Sequence, residues 1–445
     1  LGLVHYWSKE YAEAVRILSL AASLHPAGEH SAVTLYVLGC ALFQADRPTA
    51  ALAIFSRVQE MKPDSPEGAE STMAAANIGL IRPELKVPFF LALAPVFRDP
   101  LEAYSRLLMT SRDPGLIERI RFQRAYGLWL KGRYGEAFRE FQEVAAAYPL
   151  GPFAASSRTW MMASVEKILD DSFRKGDHAM VAALYFRIPV GDLQRQLDFD
   201  RLYGIGKSLA AIGLETDAKS LWAALRSRAP DDRARELLAV SITRLDIDRR
   251  DPEAAARVLR DVRQSGDAGL QWERTVLRAD IDRIAGRRNE AAQAYEKALN
   301  LPSGPAGDPF LHRELALLLD ADGRIPQAIG QYRKALQGFA GDPERQATVL
   351  TDGRVRLAEC YLREGSTREG IRLLEEVTHS APDASLRRWS WYRIGQTLDR
   401  QGNPSGADRA FAQVRGAEGD EFWGKVADFA REDAQWSRKF KDIVR

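Results

Sequence analysis

Two short segments of this 445-residue sequence carry residue types that could do chemistry. Gly204-Ile205-Gly206-Lys207-Ser208 reads like the end of a phosphate-binding loop, where backbone amides cradle phosphate and a lysine reaches it. The full loop needs a glycine five residues before Gly206, where Arg201 stands, and a strand leading into it. The helical period of the flanking residues excludes that strand. Asp320-Ala321-Asp322-Gly323 suggests a calcium loop, but such a loop needs three oxygen ligands before its glycine and a glutamate six residues after it. Leu318 and Ile329 occupy two of those places, so the segment reads as a turn between helices. The histidines (His5, His25, His30, His178, His312, His379) are scattered, with no HExxH spacing and no clustered Cys or Asp partner. Only His25 and His30 flank a common turn. Ser, His and Asp are too dispersed for a triad. The expectation is a protein without catalytic residues, bound metal or cofactor.

Charge excludes further classes. Lys and Arg total 63 against 61 Asp and Glu, so no global field draws in nucleic acid or an acidic membrane. The Arg-rich stretch 226–263 is interleaved with Asp231, Asp232, Asp246, Asp248, Asp251 and Glu253, and only Trp222 offers a nearby stacking ring. It reads as a salt-bridged helical face rather than a nucleic-acid site. The most apolar run, Val87 to Phe97, is too short for a membrane span and contains Pro88 and Pro95. Cys40 and Cys360 sit among apolar residues and are read as small hydrophobes, unbridged.

What must position any functional residue is a recurring spacing. A small residue is followed twelve positions later by Ala, four later by an aromatic or Leu, and eight later by Pro. Gly39, Ala51, Phe55 and Pro63 show it, as do Gly2, Ala14, Leu18 and Pro26, and Gly206, Ala218, Trp222 and Pro230. Around Gly206 the apolar positions Leu202, Tyr203 and Leu209 keep a helical period, Gly213 closes that helix, and Ala218, Leu221, Trp222 and Leu225 begin another. Each unit is therefore a pair of antiparallel helices, A and B. The small residues allow A and B to approach closely, and the large one fills the space toward the next unit.

This pattern resembles the tetratricopeptide repeat (TPR) family. Further matches are Ala125/Ala137/Phe141/Pro149, Ala279/Ala291/Tyr295/Ala298, Ala316/Ala328/Tyr332/Ala335, Ala358/Gly370/Leu374/Pro382 and Gly395/Ala407/Phe411. Weaker units centre on Leu169/Val181/Tyr185 and Thr243/Ala255/Leu259. The resemblance implies an all-α, right-handed superhelical solenoid of about eleven helix-turn-helix repeats. The period here is near 37 (Gly2 to Gly39, Ala279 to Ala316, Ala358 to Gly395), longer than the family's 34.

Four regions follow. Residues 1–66 are repeats, the first cut short, because Leu1-Gly2 falls inside a helix A and suggests a longer parent chain. Residues 67–118 form a degenerate repeat with an apolar, Pro-containing insertion at 81–98, after which Asp99-Pro100 supplies an N-cap with Pro at the first helical position. Repeats resume over 119–419. Residues 420–445 read as a C-terminal capping helix with Phe422, Val426, Phe429 and Trp436 on the face that covers the last repeat.

In the family, helix A lines the concave face. The corresponding positions here are aromatic early in the chain: Tyr6 and Trp7, Tyr36 and Phe43, then Phe122, Tyr126 and Trp129. Later they are charged: Asp200, Lys207, Glu273, Asp280, Arg283, Arg313, Asp320, Glu359 and Asp399. The aromatic positions suit a peptide with apolar anchors, or else pack against the next helix A. The Lys and Asn clamp by which some members hold a C-terminal carboxylate is absent at those positions. Phe89 and Phe90 of the insertion are a second candidate surface if exposed, and a plug if buried. The expected function is a non-enzymatic scaffold for a protein or peptide partner within a larger assembly. By analogy with long degenerate arrays, that assembly is placed in the bacterial cell envelope or periplasm. The alternative is the non-catalytic region of a longer peptidoglycan- or polysaccharide-processing protein.

Overall fold

The computed structural model describes residues 1–26, 28–339, 347–414 and 421–440, with the side chains of Glu421 and Arg438 left aside. The chain divides into two compact units, Leu1–Leu214 and Glu215–Arg445, so the division falls inside the long array expected over 119–419. Among the described residues the only regular secondary structure is helical.

Unit 1 contains α1 (Gly2–Trp7), α2 (Tyr11–Leu24), α3 (Ser31–Gln44), α4 (Pro48–Met61), α5 (Pro66–Ile81), α6 (Ala94–Arg98), α7 (Pro100–Thr110), α8 (Pro114–Leu130), α9 (Tyr134–Ala147), α10 (Ala154–Lys175), α11 (His178–Arg187), α12 (Val190–Gln196) and α13 (Phe199–Ala211). Unit 2 contains α14 (Glu215–Leu225), α15 (Asp232–Asp248), α16 (Pro252–Arg260), α17 (Ala268–Ile284), α18 (Arg288–Leu299), α19 (Pro309–Ala321), α20 (Ile325–Phe339), α21 (Ala347–Glu364), α22 (Thr367–Ser380), α23 (Ala384–Arg400), α24 (Pro404–Val414) and α25 (Glu421–Lys439). Within each unit, helices pack as A/B pairs, and each B also packs on the next A; α3/α4 followed by α5, and α19/α20 followed by α21, are examples. This is TPR-like architecture.

Local sequence explains the pairs. The turn between A and B is a Schellman motif, in which the residue after the helix adopts the left-handed conformation and two amides turn back onto the last carbonyls. At Gly132 (φ 74°) its own N–H donates to the Trp129 carbonyl, and the Arg133 N–H donates to the Leu128 carbonyl. The same bonds recur at Gly286, Gly323 and Gly402. Lys9, Asp46 and Arg250 take the left-handed position without being glycine, at a steric cost of roughly 1–2 kcal/mol each. Lys9 to Asp46, Gly286 to Gly323 and Gly365 to Gly402 are each 37 residues apart, which is the period seen in the sequence. Helix starts are equally explicit. Asp251 and Asp308 accept from backbone amides of the first turn, ahead of Pro252 and Pro309.

The small-to-large pairing is direct. A Cβ added at Gly39 would lie 2.5 Å from Phe55 Cε1, and one at Gly395 would lie 2.6 Å from Phe411 Cε1. Phe55 and Phe411 are buried because glycine on the facing helix leaves room for the ring.

The insertion at 81–98 separates α5 from its partner α7, and both of its proposed roles are present in different residues. Leu93 and Phe97 are buried in the core of the first repeats, Ala94 is buried beside Leu93 in the chain, and the Leu93 N–H donates to Ser56 Oγ at 3.2 Å. Phe89 and Phe90 stand at the tip, 83% and 73% exposed. The plug rests on backbone contact, since a Cβ at Gly79 would come within 2.2 Å of the Phe97 carbonyl oxygen. Gly79→Ala is therefore expected to lose about 1–3 kcal/mol despite alanine's better helix propensity, because a backbone atom cannot rotate away. Hydrogen exchange should rise selectively over residues 93–97; unchanged protection there would refute this packing.

The last helix presents a different face from the one expected. α25 packs on α23 and α24 through Ala427 and Ala434, while Phe422, Phe429 and Trp436 are 64%, 71% and 56% exposed. Small side chains let the helix approach closely, so the bulky ring positions are left outside. Residues 420 and 441–445 of that expected segment lie outside the described residues.

Candidate protein-binding site

The A helices carry the candidate residues, and their surface differs between the two units. In unit 2 the charged positions are tied from one A helix to the next. Arg244 on α15 reaches Glu273 on α17 at 3.2 Å, Arg283 on α17 reaches Glu314 on α19 at 3.6 Å, and Arg313 on α19 reaches Asp352 on α21 at 3.3 Å. Arg393 on α23 bonds Glu359 on α21 at 2.7 Å, and Arg363 on α21 bonds Asp320 on α19. Asp280 also accepts from the Tyr295 hydroxyl at 2.5 Å, joining the ladder to a buried helix-B ring. Each exposed pair contributes little by itself, but cross-helix pairing neutralises this face. Helical spacing alone could not show which carboxylate meets which arginine.

In unit 1 the same surface mixes rings with a shorter polar chain. Glu70 on α5 accepts from the Tyr36 hydroxyl at 3.2 Å and pairs with Arg119 on α8 at 2.5 Å. Arg119, Phe122, Tyr126 and Trp129 share one face of α8 by their spacing. Phe122 is buried, stacked on Phe153 with centroids 4.9 Å apart and tilted against Phe141 at 5.6 Å. Tyr126 and Trp129 are half-buried and meet Trp160 of α10 edge-on, at 4.8 and 4.9 Å. Edge-to-face geometry of this kind is worth about 0.5–1.5 kcal/mol per pair beyond area burial, so the cluster is rigid. Repeat spacing does not single out Trp160. It lies early in the long helix α10, nine residues before the Leu169 repeat position, so the repeat frame gave it no weight.

The other candidates fall in two places. Tyr6 and Trp7 of α1 form an edge-on pair at 5.5 Å, with Tyr6 half-buried against the core of the first repeats and Trp7 exposed. Tyr36 and Phe43 of α3 are half-buried in that same core. Phe89 and Phe90 make their own edge-on pair at 6.0 Å at the insertion tip. The structure thus gathers Phe122, Tyr126 and Trp129 into one cluster and leaves Phe89 and Phe90 apart from the A helices.

The chemistry-bearing segments resolve into structural roles. Gly204 to Ser208 lies in the middle of α13, with Ser208 buried and within 3.2 Å of His178 Nδ1. A continuous helix has no free amides to cradle phosphate there. Asp320 to Gly323 spans the last two residues of α19 and the turn into α20, with Gly323 at φ 75°. Cys40 and Cys360 are both free thiols. Burial pushes the Cys360 thiol up to about 11 and raises that of Cys40 as well, so neither is a ready nucleophile. Among the described residues, no group of three or more His, Cys, Asp or Glu side chains is placed to hold a metal, and no helix is long and apolar enough to cross a membrane.

No protein-family model and no curated protein matches this sequence. Several solved structures overlap it. The Cut9–Hcn1 hetero-tetramer of APC/C is 11% identical with a TM-score of 0.35, over 96% of this chain and 88% of that one. Yeast Tom70 is 14% identical with a TM-score of 0.30, over 99% and 95%. The TPR domain of P58(IPK) is 15% identical with a TM-score of 0.28, over 92% and 99%. The repeat architecture is established by the helix-pair packing above rather than by these overlaps.

Proposed function

We propose that this chain is a non-enzymatic scaffold whose unit 1 binds a protein or peptide partner on its A-helix surface, at Tyr126, Trp129 and Trp160. The observation that supports this is the contrast between the units. In unit 2 the equivalent surface is laced by arginine–carboxylate pairs between successive helices, with the half-buried rings Trp389 and Tyr392 confined to α23 beside Arg393. In unit 1 three large rings stay partly exposed in a rigid cluster. Rigid aromatics supply contact area at low entropic cost, which is the usual composition of a binding hot spot. Trp7, Phe89 and Phe90 extend the proposal to further apolar contacts. The placement in a bacterial cell-envelope assembly is part of the same proposal and rests on analogy with long degenerate arrays.

The test uses peptides selected from a random displayed library on the purified full chain, with affinity measured by fluorescence polarisation. Tyr126→Ala with Trp129→Ala should weaken the selected peptide by about 30-fold or more, corresponding to roughly 2 kcal/mol of hot-spot energy. Far-ultraviolet circular dichroism should stay helical. Unchanged affinity, or loss of affinity only together with loss of helix, would assign these rings to the core and end the proposal.

A further inference from the structure

Helix α16 spans only nine residues, and the next helix, α17, starts at Ala268. The segment that would have continued helix B is folded back instead and fastened. Glu236 of α15, nearly fully buried, accepts from the Ser265 N–H at 2.8 Å and from its hydroxyl at 2.6 Å. Arg274 of α17 donates to the carbonyls of Leu259 at 2.5 Å and Val262 at 3.2 Å, satisfying the open end of α16. The result is a gap in the layer of B helices. Between α16 and α18 lies a cleft of about 890 Å³, floored by Leu259 and Ile281 with Ala256 and Ala294 beside them. That volume is within the range of known ligand sites, about 300–1,000 Å³.

The charge of this cleft differs from that of the paired helix-A ladder. Of its cations, Arg274 is engaged with Glu236 and Arg287 with Asp282. Arg260, Arg278 and Lys297 line the cleft and are exposed, and no ion pair is formed by them among the described residues. Glu290 is the one lining carboxylate not already paired. Three unpaired cations thus face one carboxylate over an apolar floor. Gln264, Gln271 and Gln293 add neutral hydrogen-bonding groups at the rim. No aromatic ring lines the cleft, so it lacks the stacking platform that single-stranded nucleic acid uses.

We propose that this cleft is a second binding site, for an acidic peptide segment that carries an apolar anchor residue. Its carboxylates pair with Arg260, Arg278 and Lys297, and its anchor rests on Leu259 and Ile281. Gln271, Arg274, Arg278 and Asp282 follow one side of α17, while Glu273, Asp280 and Arg283 of the charge ladder follow the opposite side. Occupation of the cleft therefore leaves the A-helix surface free, and one chain can hold two partners at once.

The test uses the full chain and fluorescein-labelled twelve-residue probes. The first is a Glu/Asp-rich peptide with a central leucine pair, the second replaces those leucines with glycine, and the third is an oligothymidylate of equal charge. The expected result is saturable binding of the leucine peptide, weakened about tenfold or more by the combined variant R260E/R278E/K297E. R244E, which breaks a paired rung of the ladder, should change it less than about twofold. The glycine peptide should bind at least about fivefold more weakly, because the anchor is lost. If the triple variant does not fold, R278Q alone should still weaken binding by about threefold. Absence of saturable binding, equal binding by the triple variant, or equal binding by the glycine peptide or the oligonucleotide would each overturn the proposal.

Discussion

Replacing Arg274 with leucine is expected to destabilise unit 2 by about 3–5 kcal/mol, because it leaves the buried Glu236 carboxylate without its cation. Glu236 is 2% exposed and Arg274 is 18% exposed at the side chain, so solvent cannot make up the loss. The same substitution frees the carbonyls of Leu259 and Val262 at the end of α16. Glu236→Gln should be milder. An amide oxygen still accepts from Ser265, and the guanidinium of Arg274, less deeply buried than Glu236, keeps its bonds to the Leu259 and Val262 carbonyls. Urea denaturation of the full chain, with hydrogen exchange over residues 255–275, measures both. If Arg274→Leu costs less than the glutamine variant, the buried pair is not what holds the folded-back segment.

The second large effect tests the repeat signature itself. Phe55→Ala should cost unit 1 about 3–5 kcal/mol by removing a fully buried ring. Gly39→Leu should cost about 1–3 kcal/mol, because the new side chain starts 2.5 Å from that ring. The double variant exchanges the small and large partners across the α3–α4 interface. It should recover part of the loss, with a coupling of about 0.5–3 kcal/mol read from hydrogen exchange at α3 and α4. Strict additivity would mean that Gly39 and Phe55 do not share one space, and the basis of the repeat would need another explanation.

Much of the fold could be read along the chain because its determinants are local. Gly213 and Gly323 each directly follow a helix C-cap, and Asp99-Pro100 starts a helix, as the stop and start signals of the sequence imply. Gly39, Ala51 and Phe55 keep a spacing that only an A/B helix pair explains, and the pair is present. Asp46 and Arg250 were less legible, since a non-glycine residue in the left-handed region carries no compositional mark. The candidate surface was legible only in outline. Tyr126 and Trp129 could be placed on a helix-A face by their spacing, but Trp160, which completes their cluster, lies outside the repeat frame.

What the sequence alone determined, then, is the repeating unit: helix, left-handed turn, helix, and a small residue facing a large one. These depend on neighbours within about forty positions and on a helical period that a linear pattern displays. Tertiary structure alone decided which carboxylate each helix-A arginine meets, which part of 81–98 is buried, which face α25 turns inward, and that α16 stops short to leave a charged cleft. Each of those outcomes depends on how closely two helix surfaces approach. Side-chain volume on both helices and the position of a neighbouring backbone set that distance, as the Phe97 carbonyl does over Gly79. A period can say that a residue faces a neighbour, but only packing decides whether the space there is filled, paired or left open to a partner.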